Sequence, residues 1–156
     1  MLDKIMEWLI MGLLGFFLGY IIFDRAEEDF TEEGLEEYVI KPSFYSKTPQ
    51  EGLKEALDFY DIQHKDIVYA QAVLETGHFK SKGCTVDNNL FGLYNSTKGE
   101  YHKFEHWVES VKAYKEWIQN KYDGKQDYYE FLTKINYAQD TRYVDTIKLL
   151  VNQLAK

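Results

Sequence analysis

The spacing of apolar positions changes along the chain, and the changes divide it into segments. Leu9 to Phe23 run for fifteen residues without a charge, and Ile5, Met6 and Trp8 extend the stretch on its amino-terminal side. At 1.5 Å per residue this makes roughly 22–28 Å of helix, against a hydrocarbon core of about 30 Å. Its apolar residues lie all round the helix rather than along one stripe. The exit, Phe23-Asp24-Arg25-Ala26, has neither the small residues of a signal-peptide cleavage site nor a cysteine for lipid attachment. The pattern therefore predicts an uncleaved, single-pass anchor in the cell membrane over residues 1–24. Lys4 precedes the span and Arg25 follows it among acids, which places the amino terminus in the cytoplasm and the bulk of the chain on the extracytoplasmic side. Gly15 and Gly19 form a G-x-x-x-G spacing, a face on which two spans can pack as a weak dimer.

Residues 25–47 lose the apolar period, and seven acids stand between Glu27 and Glu37. This is the pattern of a solvated, self-repelling linker. As a flexible chain, the 25 residues between the span and Pro49 would reach about 27 Å. Helical periodicity begins at Thr48-Pro49-Gln50-Glu51, an N-cap, a first-turn proline and a capping-box glutamate. Leu53, Ala56, Leu57 and Tyr60 follow on one face. A second helix is predicted from about Lys65 to Thr76, burying Ile67, Ala70, Val73 and Leu74 and ending at Gly77. Between 77 and 106 the period disappears, and the runs 90–94 and 100–104 around Asn95-Ser96-Thr97-Lys98-Gly99 predict a short β-hairpin. Trp107, Val111, Tyr114 and Ile118 stripe a third helix, Asp127-Tyr128-Tyr129-Glu130 caps a fourth, and a fifth from about Arg142 buries Tyr143, Ile147, Leu150 and Leu154. The expected architecture is mainly α: about five helices and one hairpin in a single domain over 48–156.

Charge narrows the partners. The net charge is −8. Residues 1–41 hold ten acids against three bases, leaving a net −1 on the rest, so the domain has no basic field for nucleic acid. One cysteine, Cys84, in a polar loop, excludes an internal disulfide and a cysteine-rich zinc site. His102 and His106 are four apart, but a strand end and a helix start separate them, so no metal site is expected. No Gly-rich phosphate loop and no Ser/His/Asp or Cys/His arrangement is present, and no cofactor is expected.

One acid breaks a local rule. Glu75 sits at the carboxyl end of the second helix, where the helix dipole disfavours an ionised carboxylate. Enclosure by Phe79 and Phe91 would raise its pKa further, toward the range of a general acid. An exposed glutamate at a frayed helix end is the plain alternative. The surrounding string favours chemistry. Ala70-Gln71-Ala72-Val73-Leu74-Glu75-Thr76-Gly77, followed by Asn88-Asn89-Leu90-Phe91-Gly92-Leu93, resembles the glucosaminidase family of peptidoglycan hydrolases. In that lysozyme-like family A-Q-A-x-x-E-T-G carries the catalytic glutamate and N-N-x-F-G follows it. The likeness continues through Tyr101 to Phe104, through Glu109-Ser110-Val111, and at Asn136-Tyr137-Ala138-Gln139-Asp140-Thr141-Arg142-Tyr143, covering roughly residues 49–155.

The resemblance implies an α+β lysozyme-like fold and an endo-β-N-acetylglucosaminidase in which Glu75 protonates a β-1,4 glycosidic oxygen. Most glycosidases add a second carboxylate. Only seven residues, Tyr94 to Glu100, join Leu93 to Tyr101, so most of the family's β-lobe is missing. Glu100 is the acid left in the hairpin; Asp87, Glu105, or no protein carboxylate at all are the alternatives, the last leaving the role to the substrate's acetamido group. Tyr137 matches a family tyrosine that supports the reaction, with Tyr143 as an alternative or a core residue. Gln71, one turn before Glu75, is a candidate for a sugar amide or for an internal hydrogen bond. Asn89, Phe91 and Gly92 are candidates for the cleft wall. Rival readings on the same fold are a lytic transglycosylase or muramidase, an inactive glycan-binding component, and a phage lysis enzyme.

Overall fold

A computed structural model describes residues 41–156. The expected span over 1–24, its Gly15/Gly19 face and most of the acidic linker lie outside the described residues. Among the described residues no helix is long and apolar enough to cross a membrane.

The packed unit begins earlier than the sequence suggests. Ser43–Ser46 form a 3-10 turn whose Phe44 is buried in the main core, against Phe59, Tyr60 and Trp107. The expected linker end at residue 47 is thus corrected: an aromatic residue surrounded by polar ones gives no periodic signal, yet it finds a pocket on the next helix. Helix α1 spans Pro49–Phe59, and both the Thr48 amide and its hydroxyl donate to the Glu51 carboxylate, at 3.2 and 2.7 Å. Helix α2 spans Lys65–Glu75. A one-turn helix, α3, over Lys82–Thr85 is additional to the five expected; Ser81 caps it, and it buries Cys84, which was expected in a polar loop. Four residues are too few to show a period.

The hairpin is real and small. β1 (Tyr94–Asn95) pairs antiparallel with β2 (Glu100–Tyr101), Tyr94 opposite Tyr101. Asn95 Oδ1 accepts the amides of Thr97 and Lys98, and Gly99 takes the left-handed conformation that closes the turn. Helix α4 spans Trp107–Trp117 and runs into a 3-10 turn over Gln119–Lys121. Asp127 caps α5 (Tyr128–Lys134) by accepting the amides of Tyr129 and Glu130. Helix α6 spans Tyr143–Leu154.

Two clusters hold the unit together. The larger packs α1, α2, α4 and α5 around Leu53, Leu57, Val68, Phe91, Val111 and Tyr114. The smaller joins α2 to α6 through Ala70, Tyr143 and Ile147. Ala70 has no bulk beyond its methyl group, which lets α6 lie close along α2. Leu154, expected in this core, is 45% exposed, because α6 outruns the face it packs against.

Candidate active site

The E-T-G string explains how Glu75 is delivered. Glu75 is the last residue of α2. Thr76 is buried, donates its hydroxyl to the Ala72 carbonyl at 2.5 Å and accepts the Phe79 amide at 2.8 Å, so the helix exit is tied down. Gly77, His78 and Phe79 all have positive φ, and the chain turns sharply away beneath the glutamate. The His78 amide reaches back to the Val73 carbonyl at 2.8 Å, as in a Schellman exit.

The N-N-x-F-G string builds the facing wall. Asn88 donates to the carbonyls of Phe104 and Glu105, at 3.0 and 3.1 Å. Asn89 accepts the Leu93 amide at 2.9 Å and donates to the carbonyls of Leu93 and His102, at 2.9 and 3.0 Å. The two side chains knit the loop to the returning strand, and the buried Asn89 has no group left for a sugar. The expectation that it binds substrate is therefore corrected to a structural one. Phe91 turns its ring into the core, 4.4 Å from Tyr114 centroid to centroid, and offers the wall only its edge and backbone. Gly92 stands at φ +60, and a Cβ built there would lie 2.9 Å from Glu75 Oε2. Only a glycine lets this wall approach the carboxylate so closely.

Between these elements runs a groove of about 860 Å³, bordered by Glu75, Gly92, the hairpin, the end of α4 and residues 135–139. Tyr137 lines it and donates its hydroxyl to the Phe91 carbonyl at 2.8 Å, fastening the 135–139 segment to the glycine wall. Glu75 is the only carboxylate in the lining among the described residues, and Lys121 the only cation. Burial pushes the Glu75 carboxyl above its ordinary range, and a hydrogen bond from the Tyr143 hydroxyl pulls the other way; burial wins.

Other predicted residues fall elsewhere. Gln71 is 0% exposed and spends its amide on Tyr114 and Tyr143, at 2.6 and 3.1 Å, away from any sugar. Tyr143 stands behind Glu75 rather than on the groove wall. Glu100 is exposed and borders a separate hollow with Asn95, Lys98 and Lys103, adjoining the groove only through Tyr101. Asp87 pairs with Lys103 at 3.8 Å, and neither it nor Glu105 reaches the groove lining. His106 packs on Tyr45 and caps α4, whereas His102 lies against Trp117; the two rings are used separately.

The chain matches the family described as glucosaminidase, mannosyl-glycoprotein endo-beta-N-acetylglucosaminidase, over residues 50–156. The chain belongs to the glucosaminidase family. This glucosaminidase is accordingly a glycoside hydrolase, and its groove holds the glutamate of the A-Q-A-x-x-E-T-G string. A solved structure titled as the catalytic domain of the autolysin Auto from Listeria monocytogenes is 18% identical, covers 81% of this chain and 96% of that one, and superposes with a TM-score of 0.47. Curated proteins gave no match.

Sequence reasoning missed the opposite wall of the groove. Tyr94, Tyr101 and Trp117 are 54%, 61% and 39% exposed, and all three line it. A signal for Trp117 was present: it falls beside the Trp107, Val111, Tyr114, Ile118 stripe of α4, so a large aromatic ring was left without a place in the core.

Proposed function

We propose that this glucosaminidase is an endo-β-N-acetylglucosaminidase that cuts the β-1,4 bond following N-acetylglucosamine in peptidoglycan strands, with Glu75 as the general acid. The family is described as an endo-beta-N-acetylglucosaminidase, and the resemblance carried by the A-Q-A-x-x-E-T-G string implies peptidoglycan strands as the substrate. The observation that carries the residue assignment is a desolvated carboxylate, the only one in the lining among the described residues, in an open groove whose other wall is aromatic. Aromatic rings stack on the apolar faces of sugars while their polar tips reach the hydroxyls. Neither the Trp117 indole N–H nor the Tyr94 and Tyr101 hydroxyls donate to the protein among the described residues.

The chemistry follows from the absence of a second acid in the described lining. Glu75 gives its proton to the leaving glycosidic oxygen, and the substrate's own acetamido oxygen attacks the anomeric carbon, closing an oxazolinium ring. Water then opens that ring as Glu75 takes a proton back. This is a recognised exception to the two-carboxylate scheme. Glu100, in its neighbouring hollow, is a bystander in this reading, and Glu100→Gln keeps its rate within about threefold, as expected for an exposed charge. The uncharged run from Leu9 to Phe23 and the acidic stretch after it support a tether that holds the domain on the wall side of the membrane.

Mass spectrometry of digested muropeptides tests the reaction. New reducing ends at N-acetylglucosamine are the expected result. Reducing N-acetylmuramic acid would make it a muramidase, 1,6-anhydro ends a lytic transglycosylase, and binding without products a glycan-binding component.

A further inference from the structure

The polar side chains buried behind Glu75 form one hydrogen-bonded file, and its direction is fixed at both ends. At the remote end stands Gln119, buried in the turn after α4. Its Oε1 accepts the Gln63 amide at 2.9 Å while its Nε2 donates to the Gln63 carbonyl at 2.7 Å, so two backbone groups of opposite kind lock the side chain in one orientation. The Nε2 group therefore also faces the Tyr128 oxygen, to which it donates at 3.2 Å. Tyr128 and Tyr114 hydroxyls lie 2.9 Å apart, and Tyr114 spends its only proton on Gln71 Oε1 at 2.6 Å. The proton between the two phenols must then come from Tyr128. With Gln71 Oε1 occupied, its Nε2 donates to the Tyr143 oxygen at 3.1 Å. The Tyr143 proton remains, and because Gln71 and Glu75 lie one helical turn apart on the same face of α2, it faces the Glu75 carboxylate.

We propose that this file makes Tyr143 a dedicated donor to Glu75, and that Gln71, Tyr114, Tyr128 and Gln119 are positioning residues acting through it. The proposal rests on Glu75 being the acid. Each bond polarises the next in the same direction, which strengthens the last one. That last bond stabilises the carboxylate that remains once the Glu75 proton has gone to the leaving oxygen. No proton passes along the file, because burial holds the Tyr114 and Tyr143 phenols well above their ordinary range and they stay neutral. Burial in the groove thus makes Glu75 hold its proton more tightly, and the file limits the effect.

The groups facing Glu75 are few. Tyr143 reaches it from α6, and Tyr137 comes from the segment before α6 with its proton committed to the Phe91 carbonyl. Lys121, Tyr94 and Tyr101 share the groove from the turn after α4 and from the hairpin. Apart from Tyr143 itself, none of these is altered by substitutions within the file.

The test uses the full-length chain with glutamate labelled at its side-chain carboxyl carbon, and compares wild type, Tyr143→Phe, Gln71→Met and Gln119→Met. Carboxyl NMR titration reads Glu75 directly, assigned by its loss in Glu75→Gln, and needs no turnover. In Tyr143→Phe the titration moves to higher pH, and the alkaline limb of the kcat profile moves the same way. The limb reports loss of the acid's proton. Gln71→Met gives a smaller shift of the same sign, and Gln119→Met a smaller one still. For Tyr143→Phe kcat falls about five- to tenfold, the worth of one hydrogen bond to a charged group, with KM within about twofold. An unmoved titration in a folded Tyr143→Phe or Gln71→Met protein overturns the proposal, whatever happens to the rate; should either variant fail to fold, the other decides. A Glu75→Gln enzyme that still cuts glycan overturns the acid assignment instead, a separate result.

Discussion

Helix α2 borders a cleft with each of its ends. Near its start, Lys65, Asp66 and Tyr69 line a hollow of about 390 Å³ with Lys54, Asp58 and the end of α6. Its last residue opens on the larger groove. In the first cleft charges of both signs alternate: Lys65 pairs with Asp58 at 2.6 Å, and the Lys54 ammonium lies 5.2 Å from the centre of the Tyr69 ring. Each group meets water or an opposite neighbour, and such exposed pairs contribute at most about 1 kcal/mol. In the second cleft one carboxylate is buried, no cation among the described residues pairs with it, and the group that steadies its charge is a neutral hydroxyl. A concave shape is common to both; an uncompensated charge with an altered proton affinity belongs to one.

The largest effect that would break this contrast concerns the acids themselves. Glu75→Gln loses glycan cleavage by about 10²–10⁴-fold, the usual worth of a general acid, while Asp66→Asn at the other end of the helix stays within about twofold. Release of soluble muropeptides from purified walls measures both. Equal losses would mean that α2 is merely being destabilised.

The next effect concerns the room allotted to the carboxylate. Gly92→Ala brings a methyl group to 2.9 Å from Glu75 Oε2 and places alanine at φ +60. The backbone cost is about 1 kcal/mol, and displacing a reacting group by a fraction of an ångström to an ångström costs up to about 10²-fold in rate. kcat should fall by about ten- to a hundredfold with KM little changed. Gly77→Ala, also at positive φ but with open space around its Cβ, shares the backbone strain and separates it from the crowding.

Of this site, the sequence showed what is local. Thr48 and Pro49 start α1, Gly77 ends α2, and Asn95 with Gly99 closes the hairpin, because capping and turn chemistry act within a few residues. The glutamate proposed as the acid was legible through its string. Contacts made across the chain were not. Gln71 reads as a groove residue on a helical wheel, yet its partners are Tyr114 and Tyr143, 43 and 72 positions away. Asn89 reads as polar and therefore available, yet three backbone groups consume it. Phe44 offers no period at all, and Trp117 shows only that it does not fit its own helix.

A smaller effect separates the walls of the two clefts. Trp117→Ala raises KM for glycan strands by about tenfold, since a stacked ring is worth about 0.5–1.5 kcal/mol beyond its buried area. Leu154→Ala, which removes the exposed apolar side chain from the other cleft, leaves KM unchanged. Trp117→Phe should recover part of the loss. A uniform rise in KM for both clefts would place the glycan on both faces.

The smallest effect is on stability, and it has a definite sign. Burial holds the Glu75 carboxyl above its ordinary range, so the folded chain binds that proton more tightly than the unfolded chain does. The resulting stabilisation is complete below the unfolded value and is lost as pH rises through the folded one. Above the folded value an ionised Glu75 therefore weakens the fold, and there Glu75→Gln, which keeps the shape without the charge, should raise Tm by a few degrees, roughly what 1 kcal/mol gives a domain of this size. The gain should vanish on acidification. Glu51, at the start of α1, supplies the opposite case: its bonds from Thr48 hold it below the ordinary carboxylate range. Its contribution is present above the unfolded value and lost as pH falls through the folded one, so Glu51→Gln should lower Tm at neutral pH and converge with wild type in acid. Thermal melts of both variants across pH would show curves diverging in opposite directions. If Glu75→Gln instead lowers Tm at alkaline pH, the carboxylate is not desolvated there, and the physical basis for its acidity fails together with the contrast between the two ends of the helix.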